Sequence, residues 1–134
     1  MATVLLVEDE DDTRELLARA LERAEHRCVV ARTSAEALDI ARSGAFIDVV
    51  VTDVVLGKDD DRGGLRLLAE LRGAGVHAPV VVITAFADVE KVKTALNEGA
   101  AHLLEKPFRA SELCEVIQRV QAPGAWSERA GLGR

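Results

Sequence analysis

The sequence predicts a doubly wound α/β fold: a five-stranded parallel sheet with helices on both faces, in (βα)5 order. Three observations carry that reading. Short apolar runs of strand length alternate with segments of helical periodicity about five times, which right-handed crossovers close into one parallel sheet. Two of the runs, Val49-Val50-Val51 and Val80-Val81-Val82-Ile83, are continuously apolar and β-branched, as strands covered on both faces require. Several runs also stop abruptly on polar residues, most sharply at Thr52-Asp53, and in open α/β sheets binding and chemistry gather beyond the carboxyl ends of the strands.

The elements follow in order. Val4 to Val7 reads as a central strand that stops at the acidic run Glu8-Asp9-Glu10-Asp11-Asp12. A helix over roughly Asp11 to Ala24 puts Leu16, Leu17, Ala20, Leu21 and Ala24 on one face, with Arg14, Glu15, Arg19, Glu22 and Arg23 on the other. Arg27 to Ala31 is a second strand; Ser34, Ala37, Leu38 and Ala41 begin a helix that Gly44 can close. After the Asp53 strand, the loop Gly57 to Gly64 precedes a helix with Leu65, Leu68 and Leu71 facing inward. Val80 to Ile83 ends in Thr84-Ala85, and Val89, Val92 and Leu96 mark a helix stopped by Gly99. Ala101 to Glu105 is the last strand, and Leu113, Val116, Ile117 and Val120 give a closing helix capped by Ser111. The packed domain is expected over 1–121, with 122–134 a Gly/Ala-rich tail that is frayed or foreign to the domain.

Composition narrows the function. A formal net charge of −6, with no Lys/Arg-rich run, gives no basic face for direct nucleic-acid contact. No stretch is long and apolar enough for a membrane span, and the N-terminus lacks a signal-peptide pattern, so a cytoplasmic protein is expected. Cys28 and Cys114 have no metal or redox spacing and read as buried thiols. His26, His77 and His102 read as surface histidines, and Phe108 as a packing residue.

In this fold the tips of the first, third, fourth and fifth strands converge, which brings Glu8 and Asp9, Asp53, Thr84 and Lys106 together. Three crowded carboxylates repel one another unless a cation neutralises them, and hard oxygen donors with room for water suit Mg2+. A carboxylate beside such a metal can attack phosphorus to give an acyl phosphate, with the ammonium and hydroxyl serving the equatorial oxygens.

The chain resembles the receiver domain of two-component response regulators. The matching pieces are Val7-Glu8-Asp9, Val51-Thr52-Asp53, Ile83-Thr84-Ala85, Gly99-Ala100 and Glu105-Lys106-Pro107-Phe108, spread across about residues 3–121. The resemblance implies a flavodoxin-like fold in which Asp53 accepts phosphate from a sensor histidine kinase or phosphotransfer protein. It further implies that Asp9 binds Mg2+ directly, Glu8 through water and Val55 through its backbone carbonyl. Thr84 and Lys106 would sense the phosphoryl group, and a cis bond at Pro107 would aim Lys106 at Asp53. Such a protein is a switch rather than an enzyme, catalysing only its own phosphorylation and dephosphorylation. Its output would pass to a downstream protein or a second copy through the face of the fourth helix, fifth strand and fifth helix.

Two departures stand out. The turn after Asp53 is lengthened by Lys58-Asp59-Asp60-Asp61-Arg62, which reads as a solvated acidic turn. Leu103 stands where such domains usually carry a switching Tyr or Phe, leaving Phe86 to take part of that role. Two rival readings are a degenerate receiver that binds proteins without phosphorylation and a Mg-dependent phosphatase with an Asp nucleophile. The phosphatase family wants a second Asp two residues on, where Val55 sits. No effector region follows Gln121, so a stand-alone regulator or an excised receiver is expected.

Overall fold

Five apolar runs form strands and five amphipathic segments form helices: β1 (Thr3–Val7), α1 (Asp11–Arg23), β2 (Arg27–Ala31), α2 (Ser34–Arg42), β3 (Val49–Asp53), α3 (Gly63–Gly73), β4 (Val80–Thr84), α4 (Val89–Asn97), β5 (His102–Glu105) and α5 (Ala110–Gln121). This computed structural model describes residues 1–56, 63–85, 89–97 and 99–121, without the side chains of Val89, Lys91, Val92 and Leu96. The acidic turn Asp59 to Asp61, Phe86 and the 122–134 tail therefore lie outside the described residues.

The strands pair in parallel in the order β2-β1-β3-β4-β5. Alternate strand residues serve two cores. Leu5, Val7, Val50, Val80 and Val82 pack with Ala37, Leu38, Leu65, Leu67, Leu68, Leu71 and Ala95 from α2, α3 and α4. Val4, Leu6, Val49, Val51, Val81 and Ile83 pack with Leu17 and Leu21 of α1 and Leu113, Val116, Ile117 and Val120 of α5. With each buried aliphatic side chain contributing about 1.5–3 kcal/mol, a one-residue slip of β3 or β4 would exchange its two faces between cores of different shape. The register is therefore well specified: Val7 lies opposite Thr52, Asp53 opposite Ile83, and Thr84 opposite Glu105. Strand order reverses between β1 and β3, and their carboxyl ends flank the crevice that a doubly wound sheet offers to ligands.

Local details differ from the sequence reading. Leu16 is 66% exposed and Ala24 is exposed, because the inward stripe of α1 runs through Arg14, Leu17, Ala18 and Leu21 at i, i+3, i+4 and i+7. α2 does begin at Ser34, and its cap is Thr33, whose side-chain oxygen accepts the Glu36 N–H at 3.1 Å. Ser111 lies inside α5, whose start is tied instead by Glu112 accepting the Arg109 N–H at 3.0 Å. Gly44 does follow the end of α2 with φ +85, the left-handed conformation that glycine adopts freely.

Both cysteines are half-buried rather than buried, and burial pushes the Cys28 thiol up to about 11. His26 is not a surface residue. It is 7% exposed, and its Nδ1 accepts the Ala2 N–H at 3.0 Å. Among the described residues no helix is long and apolar enough to cross a membrane.

Candidate functional site

β3 is buried along its whole length, so its last residue is delivered to the crevice with a fixed backbone. Asp53 is 7% exposed and both carboxylate oxygens are engaged. Oδ1 accepts the Val55 N–H at 3.1 Å, and Oδ2 accepts Lys106 Nζ at 2.7 Å. Lys106 reaches it from the end of β5, where its own N–H donates to the Thr84 carbonyl at 2.8 Å and the Lys106–Pro107 peptide is cis. Thr84, 5% exposed, ends β4 beside that link.

The acidic pair comes from the end of β1. Glu8 is 3% exposed; its N–H donates to the Ala31 carbonyl at 3.0 Å, and its Oε2 accepts the Glu10 N–H at 3.1 Å. Its Oε1 lies 3.8 Å from Lys106 Nζ. Burial pushes the Glu8 carboxyl up to about 7. The Glu10 N–H and the Lys106 charge work against that rise, while the Asp53 charge and a hydrogen bond with the Asp9 side chain add to it. For Lys106, burial favours the neutral amine, yet the hydrogen bond and charge of Asp53, with Glu8 and Glu10, overcome it and raise the pKa. Asp9 itself is exposed.

Glu8, Asp9, Asp53, Thr84 and Lys106 are thus gathered at one end of the sheet. Among the described residues, however, no three acids, histidines or cysteines are spaced ready to hold a metal ion. The Lys106 ammonium occupies Asp53 Oδ2 and stands near Glu8. The donor set nevertheless fits a hard cation. It is all oxygen, and it sets the buried carboxylates of Glu8 and Asp53 around one shared ammonium, a place where positive charge is already accepted. Val55 meets Asp53 through its backbone N–H. Leu103, half-buried on β5, packs against the core beneath α2, α3 and α4.

The sequence profile described as "Response regulator receiver domain" matches residues 4–118. The chain belongs to that family. Among curated relatives, this receiver domain is 35% identical to the response regulator protein FleR of Pseudomonas aeruginosa, over 92% of its own length and 26% of FleR. It is 37% identical to the swarming motility regulation protein RssB of Serratia marcescens, over 89% of its length and 51% of that protein. The chain therefore spans about a quarter to a half of the curated relatives it matches. Among solved structures it resembles the chemotaxis response regulator CheY4 of Vibrio cholerae, with TM-score 0.78 and 29% identity over 90% of this chain and 98% of that one. It also resembles a receiver domain protein from Clostridium thermocellum, with TM-score 0.80 and 28% identity over 90% and 94%.

Three contributors to the receiver site were not singled out from sequence. Arg14 is an inward residue of α1, and its Nη1 donates to the Glu8 carbonyl at 3.0 Å. Its position three before Leu17 and seven before Leu21 was the available signal. Glu10 supplies the N–H that holds the Glu8 carboxylate. Gly64 lets α3 approach so closely that a Cβ there would lie 1.8 Å from the Asp53 carbonyl oxygen.

Proposed function

We propose that this receiver domain accepts a phosphoryl group on Asp53 from the phosphohistidine of a histidine kinase or phosphotransfer protein. The observation that carries the reading is the Lys106–Asp53 contact at 2.7 Å, at the tip of a fully buried strand and beside a carboxyl-rich loop. An Asp53 oxygen attacks phosphorus, the P–N bond to the donor imidazole breaks, and its electron pair stays on the ring nitrogen. The rigid end of β3 and the Val55 N–H hold the carboxylate in one orientation for that approach. Lys106, already poised at the carboxylate, hydrogen-bonds the incoming phosphoryl oxygens, and the Thr84 hydroxyl at the adjacent strand tip takes another. Asp9, Asp53 and the Val55 carbonyl would hold Mg2+, with Glu8 acting through water. When bound, the metal neutralises the carboxylates and the transferring oxygens.

The direct test is phosphorylation by acetyl phosphate with Mg2+, followed by intact mass measurement. One phosphoryl group is expected on the wild type and none on Asp53→Asn. Full-stoichiometry labelling of Asp53→Asn would overturn the assignment.

A further inference from the structure

We infer that Arg14 is a positioning residue that holds the acidic half of the site in its metal-binding shape. The inference rests on the reading of that site given above. Arg14 is anchored at both ends of its guanidinium: Nη1 donates to the Glu8 backbone carbonyl at 3.0 Å, and Nη2 pairs with the Asp11 carboxylate. Its side chain is only 11% exposed, although charged residues on a first helical turn are ordinarily solvated. It occupies the same stripe as Leu17 and Leu21, so burial of its stem and the fork geometry of its head are both used.

The Glu8 carbonyl is the first acceptor past the end of β1, in a turn that must present Asp9 outward while keeping the Glu8 carboxylate inside. Other bonds also hold this turn: the Glu8 N–H donates to the Ala31 carbonyl, the Glu10 N–H donates to Glu8 Oε2, and the Glu8 carboxyl is hydrogen-bonded with the Asp9 side chain. None of these bonds engages the carbonyl of the peptide between Glu8 and Asp9. Arg14 does, because its donor sits on that carbonyl and thereby sets the direction in which the Asp9 side chain leaves the backbone. Residues behind metal ligands act in this manner, by orienting them.

The sign of the effect separates positioning from simple charge. A cation near a metal site opposes the metal, so removing Arg14 as a charge alone would tighten Mg2+ binding. Removing it as a positioner loosens binding.

The experiment measures Mg2+ affinity by calorimetry, and labelling by acetyl phosphate against Mg2+ concentration, in wild type, Arg14→Met, Arg14→Lys and Asp11→Asn. Arg14→Met is expected to weaken Mg2+ binding about tenfold, with the labelling rate recovering at saturating Mg2+. Arg14→Lys, which keeps charge but not the fork, should fall between the two. Asp11→Asn, a change at an exposed residue that leaves the fold intact, should weaken binding in the same direction by less. Unchanged or tighter Mg2+ binding in Arg14→Met overturns the inference. Amide exchange at Glu10 provides a readout independent of metal: it should quicken in Arg14→Met while exchange in β1 holds. If the wild type neither binds Mg2+ nor takes phosphate, the functional reading fails, and Glu10 exchange still decides whether Arg14 holds the turn. Unchanged Glu10 exchange overturns the positioning role.

Discussion

Lys106 donates to Asp53 at 2.7 Å while standing 3.8 Å from Glu8, so one ammonium serves two buried carboxylates contributed by different strands. In the absence of metal it is the local counter-charge. Replacing it with methionine leaves both acids without that partner, and removing one member of a mostly buried pair costs on the order of a few kcal/mol. Lys106→Met should therefore lower metal-free stability, seen as a reduced urea midpoint. Mg2+ should bind it more tightly than wild type, because no ammonium competes for Asp53. Weaker Mg2+ binding in the variant would show that Lys106 does not occupy the cation's place.

Two buried groups predict opposite pH slopes. The Glu8 carboxyl, raised from 4.5 to about 7 by burial, is protonated more readily in the folded state. Its contribution is fully present below about 4.5 and is lost as pH rises through about 7. His26 is shifted the other way, lowered by burial and by the N-terminal charge. Its contribution is present above 6.5 and is lost as pH falls through the lowered folded value, when protonated Nδ1 can no longer accept the Ala2 N–H. Without metal, Glu8→Gln should remove the decline in stability between pH 4.5 and 7, while His26→Leu should flatten the acid limb. Denaturant midpoints across that range check both. An unchanged profile in Glu8→Gln would place the slope elsewhere.

Gly64 and Gly73 make a paired test of close approach. A Cβ on Gly64 would lie 1.8 Å from the Asp53 carbonyl oxygen and 3.0 Å from Val54 Cα, both backbone atoms that cannot swing aside. Gly64→Ala must push α3 away from the end of β3, breaking the 2.8 Å bond from its N–H to the Val54 carbonyl. A loss of roughly 1–3 kcal/mol or more is expected, together with slower labelling at Asp53. A Cβ on Gly73 meets nothing within 4 Å, so Gly73→Ala should be neutral or stabilise by up to about 1 kcal/mol. Equal melting temperatures for the two variants would mean that α3 is free to retreat.

The contrast between what was legible in the sequence and what was not has a physical basis. The strands were legible because valine runs such as Val80 to Ile83 carry length, branching and burial in the same few residues. The gathering of Glu8, Asp53, Thr84 and Lys106 followed, since parallel register brings strand ends level. Arg14 was misread because a charged residue breaks the apolar stripe of α1, although a guanidinium can enter a core when a carbonyl and a carboxylate receive it. His26 was misread for a similar reason: the Ala2 N–H that satisfies it lies 24 residues away in sequence. The part of Gly64 depends on how near α3 comes to β3, which no local pattern reports. The cap of α5 was misplaced at Ser111, because the tie at its start comes from Glu112 reaching back to the Arg109 N–H rather than from a hydroxyl.

The last prediction concerns the strength of the switch. On the proposed function, signal would pass from a phosphoryl group at Asp53 to the face of α4, β5 and α5, where Lys93 and Asn97 are exposed. On β5 the side chain available to respond is Leu103, half-buried against the core beneath α2, α3 and α4, and flanked by His102 and Leu104. An aromatic side chain in that position would sweep a larger contact area between inward and outward rotamers and could report its place through a hydroxyl. Leucine gains fewer dispersion contacts on moving inward and has no polar tip to register the change. The coupling between phosphorylation and the α4 surface should therefore lie at or below the ~1–3 kcal/mol usual for allosteric proteins. Beryllium fluoride with Mg2+ supplies a phosphoryl mimic, and the amide shifts of α4 and β5 report how far the population moves. Wild type should shift partially and Leu103→Tyr further, with the increase confined to those elements. Equal and complete shifts in both proteins would show that this position does not limit the coupling.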